Sequence, residues 1–300
     1  MHGLCWAAAL AGVLMADASA GAGDPDDAYV RELEQHRKDR EARLRGERGW
    51  LSLVGLSWLE DGANRLGSDP RADIVLPAGA PAHAGTVTVR DGRVSVELAS
   101  GVSGAIDGKP VTRAELRPDD PGPPDVLMLG TMSLQVIKRA GKLGVRLKDS
   151  ASPARRAFTG LRFFPIRPAY RVQARFVPHA RPVSITVPSA VGPAQTMESP
   201  GAVVFTLDGH ELRLDAVLEA PADTELFFVF RDQTSGRETY GGGRFLYTPL
   251  PRDGRVELDF NKAFSPPCAF TPYATCPLPP PQNGLPVRIE AGELAPQAHP

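Results

Sequence analysis

The chain has 300 residues, of which 42% are hydrophobic and 23% charged, a composition typical of globular proteins and not of disordered chains. The 34 Lys and Arg residues almost balance the 35 Asp and Glu residues. The resulting net charge of -1 argues against a nucleic-acid-binding protein, which concentrates positive charge. Thirty glycines and thirty prolines favour turns and short strands over long helices.

The first residues have the features of a signal peptide. An apolar run from Leu4 to Met15 is too short to span a bilayer, and Ala18-Ser19-Ala20 follows it as a small-x-small cleavage signal. We therefore expect residues 1–20 to be removed and the protein to be exported to the periplasm or the extracellular space. A membrane anchor is the alternative interpretation. Because no later run of 18 apolar residues occurs, we expect no membrane span in the mature chain.

Cys5 lies in the predicted signal peptide, so two cysteines remain in the mature chain. Cys268 and Cys276 are eight positions apart, and in an oxidising compartment this pattern predicts a disulfide. A loop this short is worth roughly 2–3 kcal/mol in the chain-entropy model. Two thiolates are too few for a structural zinc site, which needs four ligands, so we expect neither a metal nor a cofactor.

The sequence predicts a helix over residues 25–48, which forms the main part of an N-terminal helical segment, residues 21–49. Asp24 is placed to cap it, and Pro25 occupies the first helical position. Tyr29, Leu33, Arg40 and Leu44 form a narrow stripe on one face, so most of this helix is expected to face water.

From residue 50 onward the hydrophobic period changes to two, which is typical of strands. Asp91-Gly92, Asp107-Gly108 and Asp208-Gly209 each predict a hairpin turn. Further strands are predicted at 50–58, 73–77, 126–138, 143–148, 158–166, 170–177, 183–188, 225–231, 243–248, 255–261 and 286–291. Many short strands between turns indicate a sandwich or barrel. We predict a mostly β fold, with a β-sandwich-like domain over 50–150 and a second β-domain over 151–300.

The segment from Asn64 to Val111 resembles a forkhead-associated domain. Arg65 to Asp69 (RLGSD), the strand at Ile74, His83 and Asp107-Gly108 follow one another in a similar order. The sequence departs from that family at the groups that hold phosphate. No Arg follows Gly67, Ala80 stands where a Ser is expected, and Asp107 replaces an Asn. The resemblance therefore implies a β-sandwich scaffold and not phosphopeptide binding.

Polar side chains are most concentrated between Phe230 and Asn261. The candidate ligand-binding residues there are Asp232, Glu238, Tyr240, Arg244, Asp259 and Asn261, beside the triple glycine 241–243. The Arg244 guanidinium is suited to a carboxylate or phosphate, and glycines permit close approach of a backbone. These residues predict a pocket for a small anionic or sugar-like ligand. The alternatives are a metal-independent hydrolase with Glu238 or Asp259 as its base, and ion pairs that only fix loops.

The C-terminal tail, Asp259 to Glu293, is rich in proline and contains both remaining cysteines. We expect an extended, stiff segment that covers the domain surface or roofs a pocket. No nucleophile elbow, phosphate-binding loop, zinc-protease helix motif or EF-hand loop occurs in the sequence.

The chain resembles the bacterial and archaeal family catalogued as domain of unknown function 1684. The resemblance is carried by residues 49–77, 143–149 (LGVRLKD), 158–165 (FTGLRFFP), 238–246 (ETYGGGRFL) and the tail. Ser265 departs from the family pattern, which more often has Asn before the two prolines. The resemblance implies no established activity, but it implies that the candidate residues and the cysteine loop form one unit.

We therefore expect an exported cell-envelope protein that binds a small anionic or sugar-like ligand. In this hypothesis Arg244 anchors the anion, Tyr240 donates a hydrogen bond, and Glu238 and Asp259 orient them. The partner is a small molecule; neither nucleic acid nor a particular protein partner is indicated.

Overall fold

The computed structural model describes residues 25–220 and 222–297. The predicted signal peptide and the predicted Asp24 cap lie outside these residues. Helix α1 spans Pro25–Arg45, and its predicted stripe is buried, with Leu33 and Leu44 fully inaccessible to solvent. Within the described residues, no helix has the length and apolar character needed to cross a membrane.

Two sheets form the N-terminal sandwich. The strands are β1 (Leu53–Trp58), β2 (Gly62–Gly67), β3 (Ile74–Val75), β4 (Gly85–Arg90), β5 (Arg93–Leu98), β6 (Gly104–Ile106), β7 (Lys109–Val111), β8 (Arg113–Leu116), β9 (Val126–Leu129), β10 (Met132–Arg139) and β11 (Lys142–Asp149). One sheet has the order β1-β11-β10-β9-β6-β7, and the other has the order β3-β2-β4-β5-β8. Alternate residues from both sheets, such as Val87, Val96, Val136 and Leu147, pack into one core.

The predicted hairpin turns are present. Asp91, Asp107 and Asp208 each have a φ near +50°, and the glycine that follows each also has a positive φ. This backbone is that of the tight turn whose twist matches the flanking strands. The predicted strand at 126–138 is divided by a turn into β9 and β10, and the strand predicted from residue 50 begins at Leu53 after a 3-10 turn, Trp50–Ser52.

The C-terminal sheet closes almost into a barrel. It contains β12 (Arg171–Val187), β13 (Gln195–Leu207), β14 (His210–Leu218), β15 (Glu225–Phe230), β16 (Arg244–Pro249) and β17 (Arg255–Asp259), in the order β16-β15-β14-β13-β12-β17. The two edge strands approach each other, since the Thr248 hydroxyl donates to the carbonyl of Glu257 at 2.7 Å. Its interior holds large apolar side chains, including Phe228, Phe230 and Phe260.

The remaining segments are mostly irregular. They include a short helix, α2 (Pro153–Ala157), and 3-10 turns at Pro168–Tyr170, Phe260–Lys262, Pro267–Ala269 and Pro281–Asn283. The predictions of strands at 158–166 and 286–291 are wrong. Residues 158–166 form only a single bridge, Phe163 to Glu293, and the carbonyls of Ile289 and Ala291 accept hydrogen bonds from a side chain instead of a neighbouring strand. The fold class is confirmed: one N-terminal helix is followed by β-sheets.

Candidate functional site

Arg244 and Asp232 form a buried ion pair between β16 and the end of β15. Arg244 is 0% exposed, and its Nη2 donates to Asp232 Oδ2 at 2.6 Å and to the carbonyl of Ile289 at 2.9 Å. Its Nη1 donates to the carbonyl of Ala291. Burial lowers the pKa of Arg244, and the neighbouring Asp232 carboxylate opposes that change. The guanidinium therefore fastens the tail to the barrel instead of facing a ligand cavity.

Asp259 and Asn261 connect the barrel to the N-terminal helix. The Tyr29 hydroxyl on α1 donates to Asp259 Oδ1 at 2.9 Å, and Asn261 Nδ2 donates to that hydroxyl at 3.0 Å. Burial is the main cause of a raised Tyr29 pKa, and the Asp259 charge adds to it. Asp259 and Asn261 therefore share one location, and there they hold α1.

The side chains of Glu238 and Tyr240 form their hydrogen bonds with residues outside both the Arg244 and the Asp259 groups. Glu238 forms a surface ion pair with Arg288 at 2.8 Å, and the hydrogen bond from Arg288 lowers its pKa. The Tyr240 hydroxyl donates to the carbonyl of Cys268 at 3.2 Å, and burial raises its pKa to about 12. Gly243 has a φ of +91°, and a Cβ there would lie 2.4 Å from Pro279 Cγ, so this glycine permits the tail to approach closely.

Both cysteines of the tail are free thiols in the structure. The backbone N–H of Cys268 donates to Cys276 Sγ at 3.1 Å, so the two residues are adjacent. The disulfide is not formed here, and oxidation stays a prediction.

The six candidate ligand-binding residues thus make four separate sets of contacts: Asp232 with Arg244, Asp259 and Asn261 with Tyr29, Glu238 with Arg288, and Tyr240 with the Cys268 carbonyl. None of them lines the cavities described in this fold. The hydrolase hypothesis stays a prediction, with neither carboxylate base facing such a cavity. Within residues 25–220 and 222–297, no group of three or more His, Cys, Asp and Glu side chains is arranged to hold a metal ion.

A large cleft of about 1090 Å³ lies between the N-terminal sandwich, α1 and the C-terminal domain. Arg146 on β11 lies on one wall, and Trp50 lies on the same side just before β1. Tyr247 on β16 and residues 274–277 of the tail also line the cleft. Part of the tail therefore lines a cavity, and the triple glycine 241–243 is not among the residues that line it.

Arg146 is the most unusual side chain of this cleft. It is 6% exposed, and its Nε has no hydrogen-bond partner. Its Nη2 reaches Thr275 Oγ1 only at 3.5 Å, and its guanidinium lies 5.2 Å from the Trp50 ring centroid. Burial lowers the pKa of Arg146 to about 10, with a further lowering from Arg139 that the charge of Asp119 opposes. Because burying a cation without a carboxylate is costly, this arrangement favours an anion in the cleft.

The strand alternation explains why Arg146 faces the cleft. Its neighbours Val145 and Leu147 point into the sandwich core, so Arg146 and Lys148 lie on the opposite face of β11. Lys148 Nζ lies 5.3 Å from the Trp50 ring and donates to the carbonyl of Arg48. Burial lowers the pKa of Lys148 to about 8, and the charges of Arg146 and Arg48 add to this.

Positive charge exceeds negative charge around the cleft. Two of the lining cations have carboxylate partners, since Arg139 pairs with Asp119 at 2.9 Å and Arg40 pairs with Glu293 at 3.2 Å. Four further lining cations form no ion pair within the described part of the chain: Arg43, Arg48, Lys138 and Arg146. The only other carboxylates of described residues in this lining are those of Asp120 and Glu219. The Tyr247 hydroxyl donates to Glu219 at 2.7 Å. The excess charge attracts anions.

Sequence reasoning missed this site although one signal was present. The predicted strand 143–148 puts Arg146 and Lys148 on the face opposite its apolar residues. Such a face is ordinarily exposed to water, and nothing in the local sequence shows that Trp50 and the tail cover it.

Comparisons with known proteins identify the C-terminal part. The model of a family described as "Protein of unknown function (DUF1684)" matches residues 156–294. An uncharacterised protein from Haloarcula marismortui, solved by solution NMR, is 36% identical over 47% of this chain and 80% of its own, with a TM-score of 0.41. A search of the curated proteins gave no match.

Weaker structural likenesses involve forkhead-associated domains. The FHA-2 domain of a Mycobacterium tuberculosis ABC transporter is 26% identical, with 29% of this chain and 77% of that one covered and a TM-score of 0.23. The FhaA FHA domain, solved in complex with the intracellular domain of Rv3910, is 17% identical, with 30% and 96% covered and a TM-score of 0.22. With the family match over 156–294 and the similarity to the Haloarcula protein, the chain belongs to the DUF1684 family of proteins of unknown function.

Proposed function

We propose that this protein binds a small anionic ligand in the cleft between its two β-domains, with Arg146 as the anchor. The observation that carries the proposal is the buried Arg146 guanidinium, whose Nε is unpartnered and which pairs with no carboxylate among the described residues. A planar guanidinium of this kind suits the two oxygens of a carboxylate or phosphate. An anion would supply the direct ion-pair partner that Arg146 lacks among the described residues, since the nearby Asp119 is paired with Arg139.

The excess of lining cations supports the same function. Arg43 and Arg48 are exposed at the cleft and are suited to attract an anion from solution, while Arg146 is buried and suited to hold it. Because charged hydrogen bonds contribute about 1.5–3 kcal/mol, loss of Arg146 is expected to weaken binding by about 10- to 100-fold.

Isothermal titration calorimetry with inorganic phosphate, sulfate and acetate at low ionic strength tests this proposal. We expect at least one anion to bind the unchanged chain and to bind the Arg146→Met variant at least about tenfold more weakly. Arg90→Met is the matched control, because Arg90 is exposed at the end of β4 and the variant removes the same charge. The proposal is rejected if no anion binds at about 10 mM, or if both variants bind equally well.

We also propose that the protein is exported and that Cys268 and Cys276 form a disulfide there. The leader-like residues 1–20 support export, and the 3.1 Å contact between Cys268 N and Cys276 Sγ supports the pairing. Mass spectrometry after thiol alkylation tests both. Protein recovered from the periplasm or medium should begin near Gly21 and resist alkylation, whereas unprocessed, fully alkylated chains there would contradict the proposal.

A further inference from the structure

The cleft is larger and more apolar than a site for an inorganic ion requires. A volume of about 1090 Å³ slightly exceeds the range of cavities that hold drug-sized organic molecules, about 300–1,000 Å³. We infer that the ligand is an organic oxyanion with an aromatic body, such as an aryl phosphate or aryl carboxylate. This inference rests on the proposed anion-binding function.

The charged and the apolar lining of the cleft come from different elements. The lining cations come from α1, the loop after it, β10 and β11. Much of the apolar lining comes from β13, β16 and the tail, and includes Met197, Phe245, Tyr247 and Phe264, with the Arg40 guanidinium 4.6 Å from the Phe264 ring centroid. A ligand that contacts both kinds of lining therefore needs a charged group and an apolar body.

Three of the apolar lining residues, Phe245, Tyr247 and Phe264, are aromatic. The rings of Tyr247 and Phe264 are nearly parallel, at an interplanar angle of 16° with centroids 6.0 Å apart, and Phe245 meets Phe264 edge to face. Tyr247 and Phe264 are only partly buried, so part of each side chain remains accessible. Flat aromatic ligands gain from offset stacked and edge-to-face contacts with such rings, beyond the area that they bury.

Trp50 joins the charged and the aromatic parts of the lining. Its ring contacts the Arg146 guanidinium and packs against the same hydrophobic cluster as Met197, Tyr247 and Phe264. An oxyanion bound to Arg146 therefore lies beside this cluster, and a ring attached to the oxyanion is close enough to pack on it. No separate apolar pocket is needed.

A matched series of phosphates tests the inference. Inorganic phosphate, hexyl phosphate and 1-naphthyl phosphate present one type of charged group with no body, an aliphatic body and an aromatic body. By calorimetry we expect 1-naphthyl phosphate to bind at least about tenfold more tightly than inorganic phosphate and more tightly than hexyl phosphate, with a negative heat-capacity change.

Two variants of one residue identify the aromatic contact. Tyr247→Ala should remove most of the advantage of 1-naphthyl phosphate and leave inorganic phosphate unaffected. Tyr247→Phe, which loses only the hydroxyl bonded to Glu219, should keep the advantage. Circular dichroism checks that both variants fold. If Tyr247→Ala does not fold, the ligand series on the unchanged chain decides the inference.

The outcomes separate the two proposals. If inorganic, hexyl and naphthyl phosphates bind equally, or if hexyl phosphate binds as tightly as naphthyl phosphate, the aromatic inference is overturned and anion binding survives. If none of the three binds, both proposals are overturned. If naphthyl phosphate binds more tightly but equally well to Arg146→Met, the aromatic wall is supported and the role of Arg146 is rejected.

Discussion

Two buried arginines, Arg244 and Arg146, have opposite surroundings. Arg244 is paired with Asp232 and donates to two tail carbonyls, so its charge is neutralised inside the C-terminal domain. Arg146 contacts an aromatic ring and a distant hydroxyl, and no carboxylate of the described residues pairs with it. In both side chains Nε lacks a partner, so the presence of a counter-charge is what distinguishes them.

The comparison shows how to separate a structural arginine from a binding arginine. An arginine whose charge is neutralised by an internal carboxylate has little left to offer a ligand. An arginine that is buried without an ion-pair partner lowers the stability of the protein. An anion that binds in a cleft beside this arginine offsets that cost. By this criterion the cleft, and not the polar cluster of residues 232–261, is the candidate site.

Loss of Arg244 is expected to have the largest effect. Arg244→Met leaves the Asp232 carboxylate buried without a counter-charge and releases the tail carbonyls. We expect the free energy of unfolding to fall by about 3–5 kcal/mol, measured by urea denaturation. Anion affinity at the cleft should stay unchanged wherever the variant is folded.

The double variant Asp232→Ala/Arg244→Met is the control for this prediction. Because it removes both charges, it should be more stable than Arg244→Met alone. If the single variant loses less than about 1 kcal/mol, Arg244 is not the structural fastening that its contacts indicate.

Much of the fold was predictable because its signals are local. The stripe on α1 and the Asp-Gly turns depend on residues that are close in sequence, and the structure contains them. The segments 158–166 and 286–291 were wrongly predicted as strands because their partners are distant. Hydrogen bonds such as Phe164 N–H to the Gly292 carbonyl join these two parts of the chain irregularly.

The candidate site was less predictable for a similar reason. The cluster around Arg244 attracted attention by its density of polar residues, yet density alone does not distinguish an internal ion pair from a pocket. Arg146 stands in an ordinary strand pattern, and its neighbours Trp50 and Thr275 are 96 and 129 positions away. Only tertiary structure shows that it is buried without a counter-charge.

The uncompensated charge near Arg146 predicts a pH dependence through Lys148. The pKa of Lys148 is lowered to about 8 in the folded protein from an ordinary value of 10.5, mainly by burial. Between these two values the unfolded chain binds more protons than the folded chain, so stability rises with pH. We expect an increase of about 1–2 kcal/mol from pH 8 to pH 10, less than full linkage gives because the amine is partly exposed.

Urea denaturation of the unchanged chain and of Lys148→Met across this pH range measures the effect. The variant should lack the part of the rise that Lys148 contributes, whereas other groups titrate in both proteins. A bound anion is expected to raise the pKa of Lys148 towards its ordinary value and so to reduce the rise. Identical profiles for the two proteins would show that Lys148 titrates normally.

The smallest expected change in stability, that of Arg146→Met, compares the two arginines most directly. Arg146→Met removes a buried cation without leaving a carboxylate unpaired, but it also removes the contact with Trp50, which opposes the gain. We expect the free energy of unfolding of the ligand-free protein to rise by about 1 kcal/mol. The same substitution at Arg244 should lower it. With a saturating anion present, the unchanged chain should instead be more stable than Arg146→Met, because only the unchanged chain is stabilised by the ligand. A loss of stability in the ligand-free Arg146→Met variant similar to that of Arg244→Met would place both arginines in the same structural class.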